Sequence, residues 1–263
     1  MKTDDLGDRM KAYEAHECER RFIAGLPIYA RIDGRGFSKF TRGMGRPYDI
    51  RLTNAMIDTT KTLVRETHAT VGYVQSDEIS LLWKDSDLFD RKSHKLHSVL
   101  ASLAAAAFAN AVIEHFDDWK SQLAKMPHFD ARVVAMPSEV EAANMMLWRN
   151  LDATKNAISM AAHAYFSHRE LQNMKSIQKK EMLFTKGINF DDYPYFFKRG
   201  TWVRTVTKER FLTPEELMRI PEKHQPTGMV TRSETVAYDL PPLNRITNPV
   251  AVLFENAQPL LHE

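Results

Sequence analysis

The 263-residue sequence is short of cysteine, of excess charge and of long apolar runs. Cys18 is its only cysteine, which excludes an internal disulfide and a zinc site of clustered thiolates. Lys and Arg number 36 against 34 Asp and Glu, a formal net charge of +2. Bulk charge therefore does not announce a nucleic-acid partner, and any such surface must be a local patch. The opening MKTDDLGDRMKAYE is charged and has no apolar h-region, so no secretory signal is expected and a cytoplasmic setting is. The longest apolar stretch, Val99 to Ile113, is broken by Ser102 and Asn110 and reads as a buried core helix, too short for a membrane span. Glycine is scarce at 10, yet Gly34, Gly36, Gly43 and Gly45 crowd one segment. That crowding calls for positive φ or close approach of the backbone to a ligand.

What is present is an ordinary globular composition, 43% hydrophobic and 27% charged, with no repeat and no low-complexity tract. Residues 8–24 show helical spacing, and Leu26 to Ile32 reads as a strand ending in Asp33-Gly34. Tyr48 to Thr67 reads as a helix, and Val71 to Val74 with Ile79 to Trp83 as a hairpin carrying Asp77-Glu78 at its tip. An Ala-rich helix over 92–125 precedes a strand, Phe129 to Met136. Ser138 reads as the N-cap of a helix to about Leu151, followed by a second helical stretch from Asp152 to Phe166. Residues 196–207 read as a strand with a basic turn, and Thr213-Pro-Glu-Glu as a capped helix before extended segments. The order β-α-β-β-α-β is the split βαβ, ferredoxin-like arrangement, so an α+β fold with an antiparallel sheet is expected. The expected organisation is a catalytic core over 1–136, with a helical and extended part over 137–263 packed on it as one continuous domain.

In such a sheet the first strand and the hairpin are neighbours, which lets Asp33 and Asp77 face each other. Two carboxylates plus the Gly34 carbonyl suit two divalent ions of a phosphoryl transfer, and oxygen-only ligands favour Mg²⁺. Asp-Gly is also a common turn dipeptide, and Asp-Glu a plausible hairpin tip. Backbone N–H groups of Arg35, Gly36 and Phe37 suit a triphosphate cradle, with Lys39 and Arg46 to neutralise its charge. Trp83, Trp148 and Trp202 read as core residues, and His94 and His97 as surface residues.

Arg31-Ile-Asp-Gly-Arg-Gly-Phe-Ser-Lys-Phe, Arg46-Pro-Tyr-Asp49 and Tyr73-Val-Gln-Ser-Asp-Glu resemble the tRNA-His guanylyltransferase superfamily. So do Phe129-Asp-Ala-Arg, Trp148-Arg-Asn-Leu-Asp152, Lys180-Glu-Met-Leu-Phe184, Lys198-Arg-Gly-Thr201 and Tyr238-Asp-Leu-Pro-Pro, so that nearly the whole chain is covered. The resemblance implies a polymerase palm that extends RNA in the 3′–5′ direction, with ATP or GTP as substrates. It implies catalytic roles for Asp33, Asp77 and Glu78, with two Mg²⁺ held by Asp33, Gly34 and Asp77. It places nucleotide contacts at Arg35, Gly36, Phe37, Ser38 and Lys39, and further along at Arg46, Asp49, Ser76, Lys95 and Arg132. Asp152 and Asn156 match the segment after the Trp-Arg pair, where RNA contacts are expected. The basic run with Arg169, Lys175, Lys179, Lys180 and Lys186, joined by Lys198 and Arg199, is the expected RNA patch or else a solvated helix face. Homotetramers sharing one tRNA are the family's implied assembly.

Thr154 stands where eukaryotic family members carry the His associated with the tRNA-His anticodon. That difference points to the bacterial and archaeal guanylyltransferase-like branch and to template-dependent repair of truncated tRNA 5′ ends. Two rival readings use the same residues. One is a palm-type nucleotidyl cyclase or signalling-nucleotide synthase without RNA. The other is a catalytically silent RNA-binding module, which the clustered acids Asp33, Asp77 and Glu78 argue against.

Overall fold

Strands rich in Val, Ile, Leu and aromatics assemble a six-stranded antiparallel sheet in a computed structural model that describes residues 3–262. The strands are β1 (Ile28–Arg35), β2 (Val71–Gln75), β3 (Glu78–Trp83), β4 (His128–Ala135), β5 (Thr201–Arg210) and β6 (Val230–Tyr238). Their spatial order is β4-β1-β3-β2-β5-β6. The first four reproduce the split βαβ order, and β5 and β6 extend the sheet beyond β2. The sheet therefore runs without a break from the first half of the chain into the second.

The helices fall on its two faces. α1 (Thr3–Cys18) precedes the sheet, and on one of the sheet's faces lie α2 (Phe37–Phe40), α3 (Ile50–Thr67), α4 (Ser93–His115) and α5 (Trp119–Leu123). Here Ile32, Ile79, Leu81 and Trp83 of the sheet pack on Leu63 and Val64 of α3 and on Leu100 and Phe108 of α4. The other face carries α6 (Glu139–His163), whose Ala142, Ala143 and Met146 pack on Tyr29, Tyr73, Leu82 and Trp202. Beyond α6 come α7 (His168–Leu171), α8 (Ser176–Thr185), α9 (Tyr195–Arg199), α10 (Pro214–Met218) and α11 (Pro249–Glu255). Leu253 of α11 closes this second core.

Helix α4 is long and apolar enough to cross a bilayer by length and composition. Instead Leu96, Leu100, Ala104, Phe108 and Val112 bury against the sheet, while Ser98, Ser102, Ala106 and Asn110 form an exposed stripe. A stripe spaced by four is the mark of an amphipathic core helix.

Several boundaries differ from the sequence reading, each for a local reason. The helix expected over 8–24 ends at Cys18, and Arg21 then forms a bridge with Lys92. The Ala-rich helix breaks at Phe116, and α5 is separate. The two helices expected over 138–166 are one, because nothing between Leu151 and Asp152 interrupts the backbone ladder. Residues 195–199 are helical and end at Gly200, whose φ is 74°, before β5 begins. Trp83 and Trp202 are core residues, whereas Trp148 is 53% exposed on the outer side of α6. His97 is half-buried rather than a surface residue, and its Nε2 accepts the Val133 N–H of β4 at 3.2 Å.

Candidate active site

The acidic centre is built at one end of β1, β3 and β4. Antiparallel register sets Asp33 directly opposite Glu78 on β3 and opposite Asp130 on β4. Directly paired residues share a face, so three carboxylates line up on the α6 side of the sheet. Glu78 belongs to β3 and not to the hairpin tip, which is Ser76-Asp77. Ser76 turns the corner with a φ of 56°. The Gly34 N–H donates to the Asp77 carbonyl at 3.0 Å, locking the tip to the end of β1. Glycine at 34 is required by close approach, since a Cβ there would lie 2.4 Å from the Phe37 ring. Gly36, with φ 69°, then turns the chain into α2.

Electrostatics divide the acids into two kinds. Glu78 is braced: Arg149 on α6 donates to both its oxygens at 2.6 Å, and also reaches Asp152 at 3.1 Å. Burial still pushes the Glu78 carboxyl up, and Arg149 opposes that push. Among the described residues, neither Asp33 nor Asp77 has such a cation in contact. Burial raises Asp33, and the neighbouring Asp130 raises it further. Burial carries Asp77 up to about 6, with Asp33 adding repulsion. Arg31 and Arg149 act on Asp33 only from a distance, and partly desolvated carboxylates with no cation in contact are a donor set that suits a bound metal ion. All the donors are oxygens, which fits Mg²⁺. Asp33, Asp77 and the Gly34 carbonyl are the groups that would hold it.

Two cavities meet at this centre. The larger, about 660 Å³, is lined by Ser38, Arg42, Arg46, Ser76, Asp77, His163 and His168 among others. The smaller, about 380 Å³, takes in Asp33, Ser76, Asp77, Glu78, Arg149 and Asn156. Ser76 and Asp77 line both, so the hairpin tip stands between them. Arg42 and Arg46 are exposed on the loop that walls the larger cavity, and Lys179 and His168 bear electrostatically on His163. The arrangement offers a chamber walled by Arg42, Arg46 and His168, suited to polyphosphate and bordered by the Asp77 carboxylate.

The tRNAHis guanylyltransferase family pattern matches residues 7–137. A tRNA(His) guanylyltransferase of Schizosaccharomyces pombe is 29% identical over 231 residues, covering 82% of this chain and 87% of the relative. A solved bacterial tRNA(His) guanylyltransferase-like protein in complex with ATP is 35% identical, with a TM-score of 0.69 over 76% of this chain and 87% of its own. The chain belongs to the tRNAHis guanylyltransferase family. A bacterial guanylyltransferase-like protein in complex with GTP matches over 91% of this chain and 94% of its own, at 28% identity and a TM-score of 0.67. This family member is accordingly a nucleotidyltransferase with a palm-type fold.

The positions expected from the sequence sort into groups. Asp33, Ser76, Asp77, Glu78 and Asn156 converge on the smaller cavity, and Ser38 and Arg46 on the larger. Phe37 touches the larger cavity, but its ring is core, packed 5.1 to 5.4 Å from those of Phe40, Phe108 and Phe129. Only its backbone can serve a nucleotide. Asp49 is an internal cap: its carboxylate accepts the N–H groups of Arg51 and Gly45 and pairs with the Arg51 guanidinium. That environment holds it down at about 2. Arg35, Gly36, Lys39, Lys95 and Arg132 line neither cavity.

The RNA patch is largely engaged within the fold of this family member. Lys180 pairs with Asp191 at 3.2 Å, Lys198 donates to the Asp191 carbonyl, and Arg199 donates to Thr154 at 3.0 Å. Lys179 donates to Ser159 at 2.9 Å on α6, and Asp152 pairs with Arg149. Sequence reasoning gave no role to Arg149, Asp130, Arg42, His163 or His168. Asp130 was accessible from strand alternation once β4 is set antiparallel to β1. Arg149, His163 and His168 depend on α6 and α7 folding back over the sheet, and Arg42 on the course of the loop after α2, which no local pattern reports.

Proposed function

We propose that this chain adds nucleotides to the 5′ end of tRNA in the 3′–5′ direction, as a two-metal, template-dependent repair enzyme for truncated tRNAs. The observation that carries the reading is the placement of two partly desolvated carboxylates with no cation in contact among the described residues, Asp33 in the smaller cavity and Asp77 on the wall it shares with the larger, arginine-lined one. The names of relatives solved with ATP and with GTP support triphosphates as the ligands.

The chemistry has two displacements. A 5′-monophosphate oxygen of the RNA attacks the α-phosphorus of a triphosphate, and pyrophosphate leaves. The 3′-hydroxyl of the incoming nucleotide then attacks the activated 5′-phosphorus, and the nucleoside monophosphate leaves. Asp33, Asp77 and the Gly34 carbonyl would hold Mg²⁺, which would supply acidity to the attacking hydroxyl and charge neutralisation to the leaving group. Arg46 and Arg42 bind the triphosphate tail, and Ser38 donates to it. Glu78, fixed by Arg149, keeps the β3 end and the Asp77 tip in register with Asp33. No protein nucleophile is needed, and catalysis rests on positioning and electrostatics.

Repair of several tRNAs, and not tRNAHis alone, is favoured by Thr154. Its hydroxyl is tied to Arg199 at 3.0 Å and to the Lys198 carbonyl at 3.3 Å, so it braces α9 against α6. A homotetramer pooling basic surface from several subunits completes the proposal. The test is incubation with a panel of 5′-truncated tRNAs, each triphosphate and Mg²⁺, followed by sequencing of the 5′ ends. Extension of tRNAs other than tRNAHis, with the added base matching the opposite strand, is expected. Cyclic or dinucleotide products without RNA extension would overturn the reading.

A further inference from the structure

Of the four tryptophans, Trp148 is 53% exposed and Trp119 half-buried, while Trp83 and Trp202 are 2% and 1% exposed. Trp148 belongs to none of the three buried clusters. One face of its indole is nevertheless covered, by the Arg149 guanidinium 4.6 Å from the ring centroid. That guanidinium is itself fixed, 7% exposed and held by two hydrogen bonds of 2.6 Å to Glu78 and by Asp152 at 3.1 Å. A side chain stacked on a locked partner is pre-organised, so ordering it again on binding costs little.

The position is as informative as the geometry. Arg149 links Trp148 to Glu78, which faces Asp33 in register, and the Arg149 charge is felt at Asp33. The indole thus stands one contact away from the acidic centre. One helical turn to either side lie the polar Asn144 and Asp152, with the half-buried Met145 and Leu151 beside them. On the same sheet face Arg31 and Arg132 pair in register across β1 and β4, and Arg132 is 59% exposed with only a 3.9 Å approach to Asp130. An exposed aromatic stacked on an arginine, with Arg132 exposed on the same sheet face as the acidic centre, is the pattern of single-stranded nucleic-acid recognition, where bases stack on rings and guanidinium groups meet phosphates.

We propose that Trp148 is a stacking platform for an unpaired or terminal nucleobase at the 5′ end of the RNA substrate, continuing the Arg149–Trp148 stack by one layer. The inference rests on the function proposed above. The platform contacts RNA and not the free triphosphate, whose chamber Trp148 does not line.

The experiment compares wild type, Trp148→Ala and Trp148→Phe by fluorescence anisotropy with a 5′-truncated tRNA labelled at its 3′ end. Trp148→Ala is expected to weaken binding by about tenfold, or about 1.4 kcal/mol. Trp148→Phe, which keeps a π-face, is expected to stay within about threefold. ATP affinity is expected to be unchanged in both. The slope of log K against log salt is also expected to be unchanged, because the lost contact carries no charge. In turnover, KM for RNA rises in Trp148→Ala while KM for ATP holds. Wild-type binding with an equal Trp148→Ala affinity overturns the platform alone. Equal loss in Ala and Phe, accompanied by a lower melting temperature, also overturns it by assigning Trp148 a structural role. A wild-type protein that binds no tRNA overturns the function above and the platform with it.

Discussion

Arg149→Met removes the cation that holds Glu78 and leaves that carboxylate desolvated beside Asp33. Arg149 is 7% exposed at the side chain and Glu78 20%, and the pair makes two hydrogen bonds of 2.6 Å. Breaking one partner of a buried ion pair costs about 3–5 kcal/mol, because the surviving charge is uncompensated. Since Glu78 retains some solvent, the lower end applies, about 3 kcal/mol. For a chain of this length that corresponds to a melting temperature lower by roughly 6–12 °C. The assay is thermal unfolding followed by circular dichroism at pH 7.5 in EDTA, so that no metal masks the acidic cluster. The double variant Arg149→Met/Glu78→Gln removes both charges and is expected to recover at least ~2 kcal/mol. An Arg149→Met protein melting within 2 °C of wild type (an uncertainty of about 0.5 kcal/mol), or a double variant no more stable than the single, would refute the bracing argument.

Other substitutions test other parts of the account. Asp77→Asn is expected to raise stability in EDTA above pH 6 by about 3 kcal/mol. The sign follows from Asp77 titrating at about 6: ionisation in the folded state is disfavoured, so stability falls as pH rises from ~4 to 6 in wild type and stays flat in the variant. The same variant is expected to lose the Mg²⁺-induced rise in melting temperature. Asp49→Ala loses the cap of α3 and is expected to cost about 0.5–2 kcal/mol by urea unfolding at pH 7. Asp49 sits at about 2 in the fold, so its contribution is present above its unfolded value of ~3.9 and is lost as pH falls towards 2; Asp49→Ala should show a shallower acid limb. Gly34→Ala puts a Cβ 2.4 Å from the buried Phe37 ring, and is expected to cost about 1–3 kcal/mol and to lower turnover with it.

Much of this architecture was legible in the sequence. Strand alternation around Ile32 and Ile79, with the α3 helix between, was enough to set the split βαβ order and to bring Asp33 near Asp77. The cap at Ser138 and the Thr213 to Glu216 capping box were likewise readable, because capping is a local interaction. What local pattern could not supply is register and tertiary neighbours. Glu78 was placed at the hairpin tip because a two-residue turn at Ser76-Asp77 requires a positive φ from serine, which composition does not announce. Asp49 carried the same charge in either role, and only the fold shows its oxygens taken by Gly45 and Arg51. Trp148 was assigned to the core because tryptophan usually is, whereas its place on α6, opposite Met146, turns it outward. The near-neutral net charge likewise conceals a local separation, with acids at the β1, β3 and β4 ends and Arg42 and Arg46 around the chamber.

The central claim is that Asp33 and Asp77 form the centre that extends an RNA 5′ end. Its most direct measurement is 5′ extension of a truncated tRNA by wild type and by Asp77→Ala, with Mg²⁺ as the only metal and tRNA binding measured in parallel. The account requires extension by wild type, none by Asp77→Ala, and equal tRNA affinity in the two proteins. An Asp77→Ala protein that still extends the tRNA would contradict it.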